Sequence, residues 1–162
     1  MMDRNEKILK LSVMAGETLL YNGAEIFRVQ ETMQKIAEAY NAEDFHVYVV
    51  SNGIFASARV RGEMQSTHIR QVSLSPAHLG RVAAMNHLSR EIAAGKYTID
   101  EAFEEIGRIR NMPYEPWPLQ ILASGVGSAC FCYILGGSVP DSVAAFISGL
   151  VLYLFIPLFQ KK

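Results

Sequence analysis

The sequence predicts an α+β domain (two helices, a three-stranded antiparallel meander, two helices) followed by an α-helical transmembrane hairpin. Three observations carry that prediction. Of 16 acidic residues 15 lie at or before Glu115, as do 13 of the 15 basic ones, and from Pro116 to Gln160 the only charge is Asp141. Apolar residues recur at helical spacing up to Tyr40, switch to a period of two from Phe45, and return to helical spacing after Ser75. Two apolar stretches, each about 20 residues long and so about the thickness of a bilayer's hydrocarbon core, then follow. This break in composition separates a cytosolic domain, residues 1–113, from a membrane domain, residues 114–162.

The first helix is expected over Glu6–Tyr21, with Ile8, Leu11, Ala15 and Leu19 on one face, and Asn22-Gly23 breaks it. The second runs from Ala24 to Tyr40. Its apolar face holds Ile26, Val29, Met33, Ile36, Ala37 and Tyr40, and Glu31 and Lys35 form an i,i+4 pair on its charged side. Phe45–Ser51 reads as a strand, and Asn52-Gly53 is a strong signal for a tight hairpin. Ile54, Ala56, Ala58 and Val60 alternate with Phe55, Ser57, Arg59 and Arg61 in a second strand. Arg61-Gly62-Glu63 turns the chain, and Gln65–Ser73 returns as a third. Ser75-Pro76 opens a third helix ending at Gly95. Thr98 and Glu101 have capping-box spacing for a fourth, with Ala102, Phe103, Ile106 and Ile109 inward, stopped by Asn111 and Pro113.

The spans are expected at about 117–136 and 140–159. Neither shows the polar stripe of a soluble helix. Arg108 and Arg110 precede the first, Lys161 and Lys162 follow the second, and Gly137-Ser138-Val139 between them carries no base. Both flanks therefore face the cytoplasm, with the hairpin turn outside. Trp117, Tyr114 and Tyr153 suit the interface. Small residues recur four apart (Ala123/Gly127, Ser124/Ser128, Gly125/Ala129, Ala144/Ser148, Ala145/Gly149), which lets helix backbones approach closely. Pro140 suits the first turn of its helix, and Pro157 marks a kink or an end.

Chemistry-bearing motifs are sparse. The chain has no P-loop, GxGxxG, HExxH or GxSxG pattern, so no enzyme, cofactor or metal signature. Cys130 and Cys132 point about 200° apart on a helix and do not clamp one metal. A formal net charge of −1 gives no pointer to nucleic acid as a partner. His46 and His68 are placed to meet across the sheet. Asn86, Ser89 and Arg90 are either a solvated helix face or an interface with a partner domain. Asp141 has two readings of equal weight: a cap on its own helix, or an acidic group at the outer mouth of a pathway.

Several of these residues, taken in order, form a pattern. Gly23-Ala24-Glu25-Ile26-Phe27-Arg28-Val29 continues into Thr32-Met33 and Ile36-Ala37-Glu38-Ala39-Tyr40. Gly53-Ile54 with Ser57, Asn86-His87-Leu88-Ser89-Arg90 with Gly95, and Glu101-Ala102 follow. Ile109, Pro113-Tyr114, Pro116-Trp117 and Gly136-Gly137-Ser138 with Asp141 complete it. The set resembles the threonine/serine exporter family over nearly the whole chain from the first helix onward. Gln30 departs from it, standing where a glutamate is frequent.

The resemblance implies an inner-membrane exporter of small hydrophilic metabolites, threonine/serine-like amino acids or dicarboxylates such as succinate. It also implies a homo-oligomer and a second, small, wholly membrane-embedded subunit, with this chain resembling the larger component. Such components have about five membrane helices, so a chain with two is expected to be truncated. Ser124, Ser128, Ser138 and Asp141 are then the candidates for the transport pathway. Glu25, Arg28, Asn86 and Arg90 are the candidates for a cytosolic interface. The alternatives are a membrane-tethered scaffold or gating domain for a partner transporter and, with less support, a membrane-anchored enzyme.

Overall fold

A computed structural model describes residues 3–60, 63–72 and 77–159. The chain divides into two compact units, Met1–Met112 and Pro113–Lys162.

The first unit runs α1 (Arg4–Tyr21), α2 (Ile26–Ala39), β1 (His46–Val50), β2 (Gly53–Val60), β3 (Glu63–Gln71), α3 (Leu79–Ala93) and α4 (Ile99–Arg110). The strands form an antiparallel sheet in the order β1-β2-β3. This is the expected α+β architecture, with element ends shifted by a few residues.

The largest shift is at α3, which begins at Leu79 with His78 as its cap, Nδ1 accepting the Arg81 N–H at 3.3 Å. Ser75 and Pro76 lie outside the described residues, as do Arg61, Gly62, Lys161 and Lys162.

α1 is the centre of the unit rather than an amphipathic cover. Ile8, Leu11, Ala15 and Leu19 are buried as expected, but so are Leu9, Ser12, Val13, Gly16, Thr18 and Leu20. The helix packs against α2, β2, β3, α3 and α4, so several of its faces meet protein. On α2, Val29, Met33, Ile36, Ala37 and Tyr40 are buried, while Ile26 is exposed. Ile26 stands at the first position of the helix, before the packed stretch. The helix's ion pair is Glu25–Arg28 at 2.9 Å rather than Glu31–Lys35, which does not form among the described residues.

Tyr40 ties α2 to the loop before α4: its hydroxyl donates to the carbonyls of Tyr97 and Thr98 at 3.0 and 3.2 Å. Burial, then the nearby Glu101 carboxylate, pushes its phenol above the usual tyrosine value.

Ile54, Ala56 and Ala58 face the core from β2, whereas Phe55 points out. The β1–β2 reversal differs from the Asn-Gly expectation. Val50 pairs with Gly53, so Ser51 and Asn52 are the loop and Gly53 already belongs to β2. Gly23, in contrast, needs its freedom: φ is +82°, directly after the Asn22 cap of α1. The two histidines are out of register, His46 opposite Ser57 and His68 opposite Ala56, one step along β2.

α4 opens with the expected capping box. Thr98 Oγ1 accepts the Glu101 N–H at 3.3 Å, and Glu101 Oε2 accepts the Thr98 N–H and hydroxyl at 2.8 Å each. Replacing Thr98 by alanine is expected to cost about 1 kcal/mol, visible as a lowered thermal midpoint.

The same bonds hold Glu101 below the usual carboxylate range, the Thr98 N–H first and its hydroxyl second. A folded-state pKa that is depressed stabilises fully above the unfolded value and loses that contribution as pH falls through the folded one. The penalty of Thr98→Ala is therefore expected to be full at neutral pH and to shrink in acid.

The second unit holds α5 (Trp117–Ile134) and α6 (Val139–Phe159), packed against each other. Gly136, at φ +92°, sits in the turn between them, and α6 continues past Pro157. Both are long and apolar enough to cross a membrane. Among the described residues of the two helices only Gly125 and Gly149 are buried, and Leu122, Phe131, Ile134, Ile147, Leu152 and Phe155 are exposed. That much exposed apolar surface calls for lipid or further helices around it.

Candidate functional site

The face that α5 turns toward α6 is polar and small. Gln120, Ser124, Ser128 and Cys132 recur every four residues, one above the other on a helix, and all are half-buried. Each of the first three is bonded. The Ser124 hydroxyl donates to the Gly149 carbonyl at 3.0 Å across the hairpin, and the Ser128 hydroxyl donates back to the Ser124 carbonyl at 2.9 Å. The Tyr153 hydroxyl donates to Gln120 Oε1, whose amide nitrogen donates to the Glu115 carbonyl.

Two glycines permit this closeness. A Cβ on Gly125 would lie 2.8 Å from Leu150 Cδ2, and one on Gly149 would lie 2.5 Å from Ser128 Oγ and 2.8 Å from the Ser124 carbonyl oxygen. Ser124 and Ser128 therefore lie on the seam between the helices. The Ala123/Gly127 pair faces the other way: both residues are exposed and nothing lies within 4 Å of a Cβ on Gly127.

Ser138 and Asp141 are together, but away from that seam, at the start of α6. Asp141 Oδ2 accepts the Ser138 N–H at 3.0 Å and its hydroxyl at 2.5 Å, and the Asp141 N–H donates to Ser138 Oγ at 3.4 Å. This is a capping box with aspartate in the usual glutamate position. Both side chains are exposed. The four pathway candidates thus form two pairs, one inside the hairpin and one at its turn.

In the first unit, Arg28, Asn86 and Arg90 come together in a shallow groove of about 150 Å³ between α2 and α3, with Lys35 and Glu31 beside them. Glu25 is not part of the groove; it pairs with Arg28 from the cap position of α2. With three bases and one acid the groove is net positive. Exposed pairs of the Glu25–Arg28 kind contribute only about 0.2–1 kcal/mol to stability.

Two features escaped the sequence reading. The Gln120–Tyr153 bond was legible only as a lone amide in an otherwise apolar span, with Tyr153 taken for an interface anchor. A polar cavity over α1 had no local signal, because its walls come from four separated elements.

A family model described as "ThrE: Putative threonine/serine exporter" matches residues 10–162. The chain is also similar to the "Probable threonine/serine exporter" of Mycobacterium tuberculosis (strain ATCC 25618 / H37Rv), 27% identical over 149 residues. The match covers 90% of this chain and 28% of the relative, so the chain spans little more than a quarter of that relative's length. No solved structure matches it.

Proposed function

From the premise that the chain belongs to the threonine/serine exporter family, we propose that it is a component of an inner-membrane exporter of small hydrophilic metabolites. Threonine/serine-like amino acids or dicarboxylates such as succinate are the cargo, and the first unit lies on the cytoplasmic side. The observation that carries this reading is the polar seam Gln120–Ser124–Ser128 inside a pair of apolar helices. Polar groups at bilayer depth are costly and gather where protein or solute, rather than lipid, meets them. Two helices do not enclose a route. Further helices, from copies of this chain and from a small membrane-embedded subunit, complete it by packing on the open Ala123/Gly127 face. The decisive measurement is efflux of labelled serine, threonine and succinate from cells lacking, and cells overproducing, the complete protein. Equal efflux in both for all three would remove the assignment.

Within this reading Asp141 lies at the outer mouth of the route. Asp141→Asn keeps an oxygen to accept the Ser138 N–H but removes the only charge between Pro116 and Gln160. Efflux is expected to fall while membrane insertion and thermal midpoint stay unchanged. Unchanged efflux would confine Asp141 to capping α6.

The net-positive α2–α3 groove favours a second role for the first unit, as a scaffold or gate for partner subunits through Arg28, Asn86 and Arg90.

A further inference from the structure

We propose that the first unit carries a separate binding site for a small polar metabolite bearing a carboxylate, in the cavity over the C-terminal half of α1. The cavity measures about 480 Å³, within the size range of small-molecule sites. Its walls come from α1, the end of β3, the start of α3 and the end of α4, so the site exists only in the folded unit.

Two guanidinium groups line it from different helices, Arg81 on α3 and Arg110 on α4. Guanidinium presents paired N–H donors that match the two oxygens of a carboxylate. The acid lining the cavity, Glu17, is already neutralised by Arg70 at 3.1 Å, which leaves the lining net positive.

Thr18 and Asn22, 3% and 2% exposed, also line the cavity, and they are unusual groups to bury. The Asn22 amide nitrogen donates to the Thr18 carbonyl at 2.6 Å, and its Oδ1 accepts from Arg81 at a long 3.4 Å. Arg81 also donates to the Met112 carbonyl at 3.1 and 2.6 Å, so its guanidinium is held in place before a ligand arrives. A guanidinium plane fixed in advance loses little freedom on binding. Gln71 and Tyr21 supply further hydrogen-bonding groups toward solvent, suited to a hydroxyl, an ammonium or a second carboxylate. The site involves neither the α5–α6 seam nor the α2–α3 groove, and its assignment does not depend on the export reading.

The test is calorimetric titration of the full chain in detergent with three probes: L-threonine, succinate, and L-threoninol, which keeps the threonine skeleton but lacks the carboxylate. Saturable binding of L-threonine or succinate is expected, and which of the two binds tells amino acid from dicarboxylate. Threoninol should bind at least about tenfold more weakly, the loss of one charge-assisted pairing.

Arg110 is exposed, so Arg110→Gln should keep the thermal midpoint and weaken binding by a similar factor. Binding that Arg110→Gln leaves untouched would place the ligand elsewhere and overturn the site. Absence of binding by both carboxylates would overturn it as well. Efflux that persists in either case leaves the export reading standing, and binding without efflux does the reverse.

Discussion

Gly149→Leu is expected to push α5 and α6 apart and to abolish efflux, with a drop of several degrees in the thermal midpoint in detergent. The reason is geometric. A Cβ at this position would lie 2.8 Å from the Ser124 carbonyl oxygen, a backbone atom that does not swing aside, and 2.5 Å from Ser128 Oγ. The helices must separate, which removes the Ser124–Gly149 hydrogen bond and the contact around it. Overpacking of this kind costs about 1–3 kcal/mol, and one interhelical hydrogen bond in a membrane about 0.6–2 kcal/mol more. Gly127→Leu is the control, since nothing lies within 4 Å of its Cβ. It should leave the hairpin intact and act only on assembly with further helices. Equal midpoints for the two leucine variants would show that the Gly149 contact does not hold the pair together.

The second large effect lies where α1 crosses α2. A Cβ on Gly16 would lie 2.3 Å from Met33 Sδ and 3.1 Å from Ile54 Cδ1, and both side chains are fully buried. Gly16→Val is expected to destabilise the first unit by about 1–3 kcal/mol through overpacking. Met33→Ala is expected to cost about 2–5 kcal/mol through the cavity it leaves. The double variant should cost clearly less than the two together, because the valine methyls occupy the space the thioether vacates. Thermal melts of the full chain followed by near-ultraviolet circular dichroism, which reports tertiary packing, would measure the cycle. Strict additivity would mean that Gly16 and Met33 do not share this space.

Local signals were readable and long-range ones were not. The Thr98–Glu101 box, the three strands and the two apolar helices all rest on spacings within one element, where a few residues decide the outcome. α1 was misread as one-faced because periodicity marks the most apolar stripe, and it cannot say that Ser12, Gly16 and Thr18 on the remaining faces will also be covered. Asn52-Gly53 has the composition of a tight turn, but the pairing of Val50 with Gly53 moved the reversal one residue earlier. The pathway candidates were chosen as the polar groups of apolar stretches, and their division into a seam pair and a cap pair depended on which side of α5 faced α6. The cavity over α1 joins Glu17 to Asn111 across most of the first unit, beyond the reach of any window along the chain.

The central position of α1 has a consequence for biosynthesis. Within the first unit α1 is made before all the elements it packs against, α2 next and α4 last. Lys7 finds Asp100 at 2.8 Å only once α4 has been made, and α4 ends seven residues before Trp117 opens the first apolar helix. The cover over α1 is therefore complete only once α4 has been made. The last element that closes the first unit and the first apolar helix are thus made in close succession.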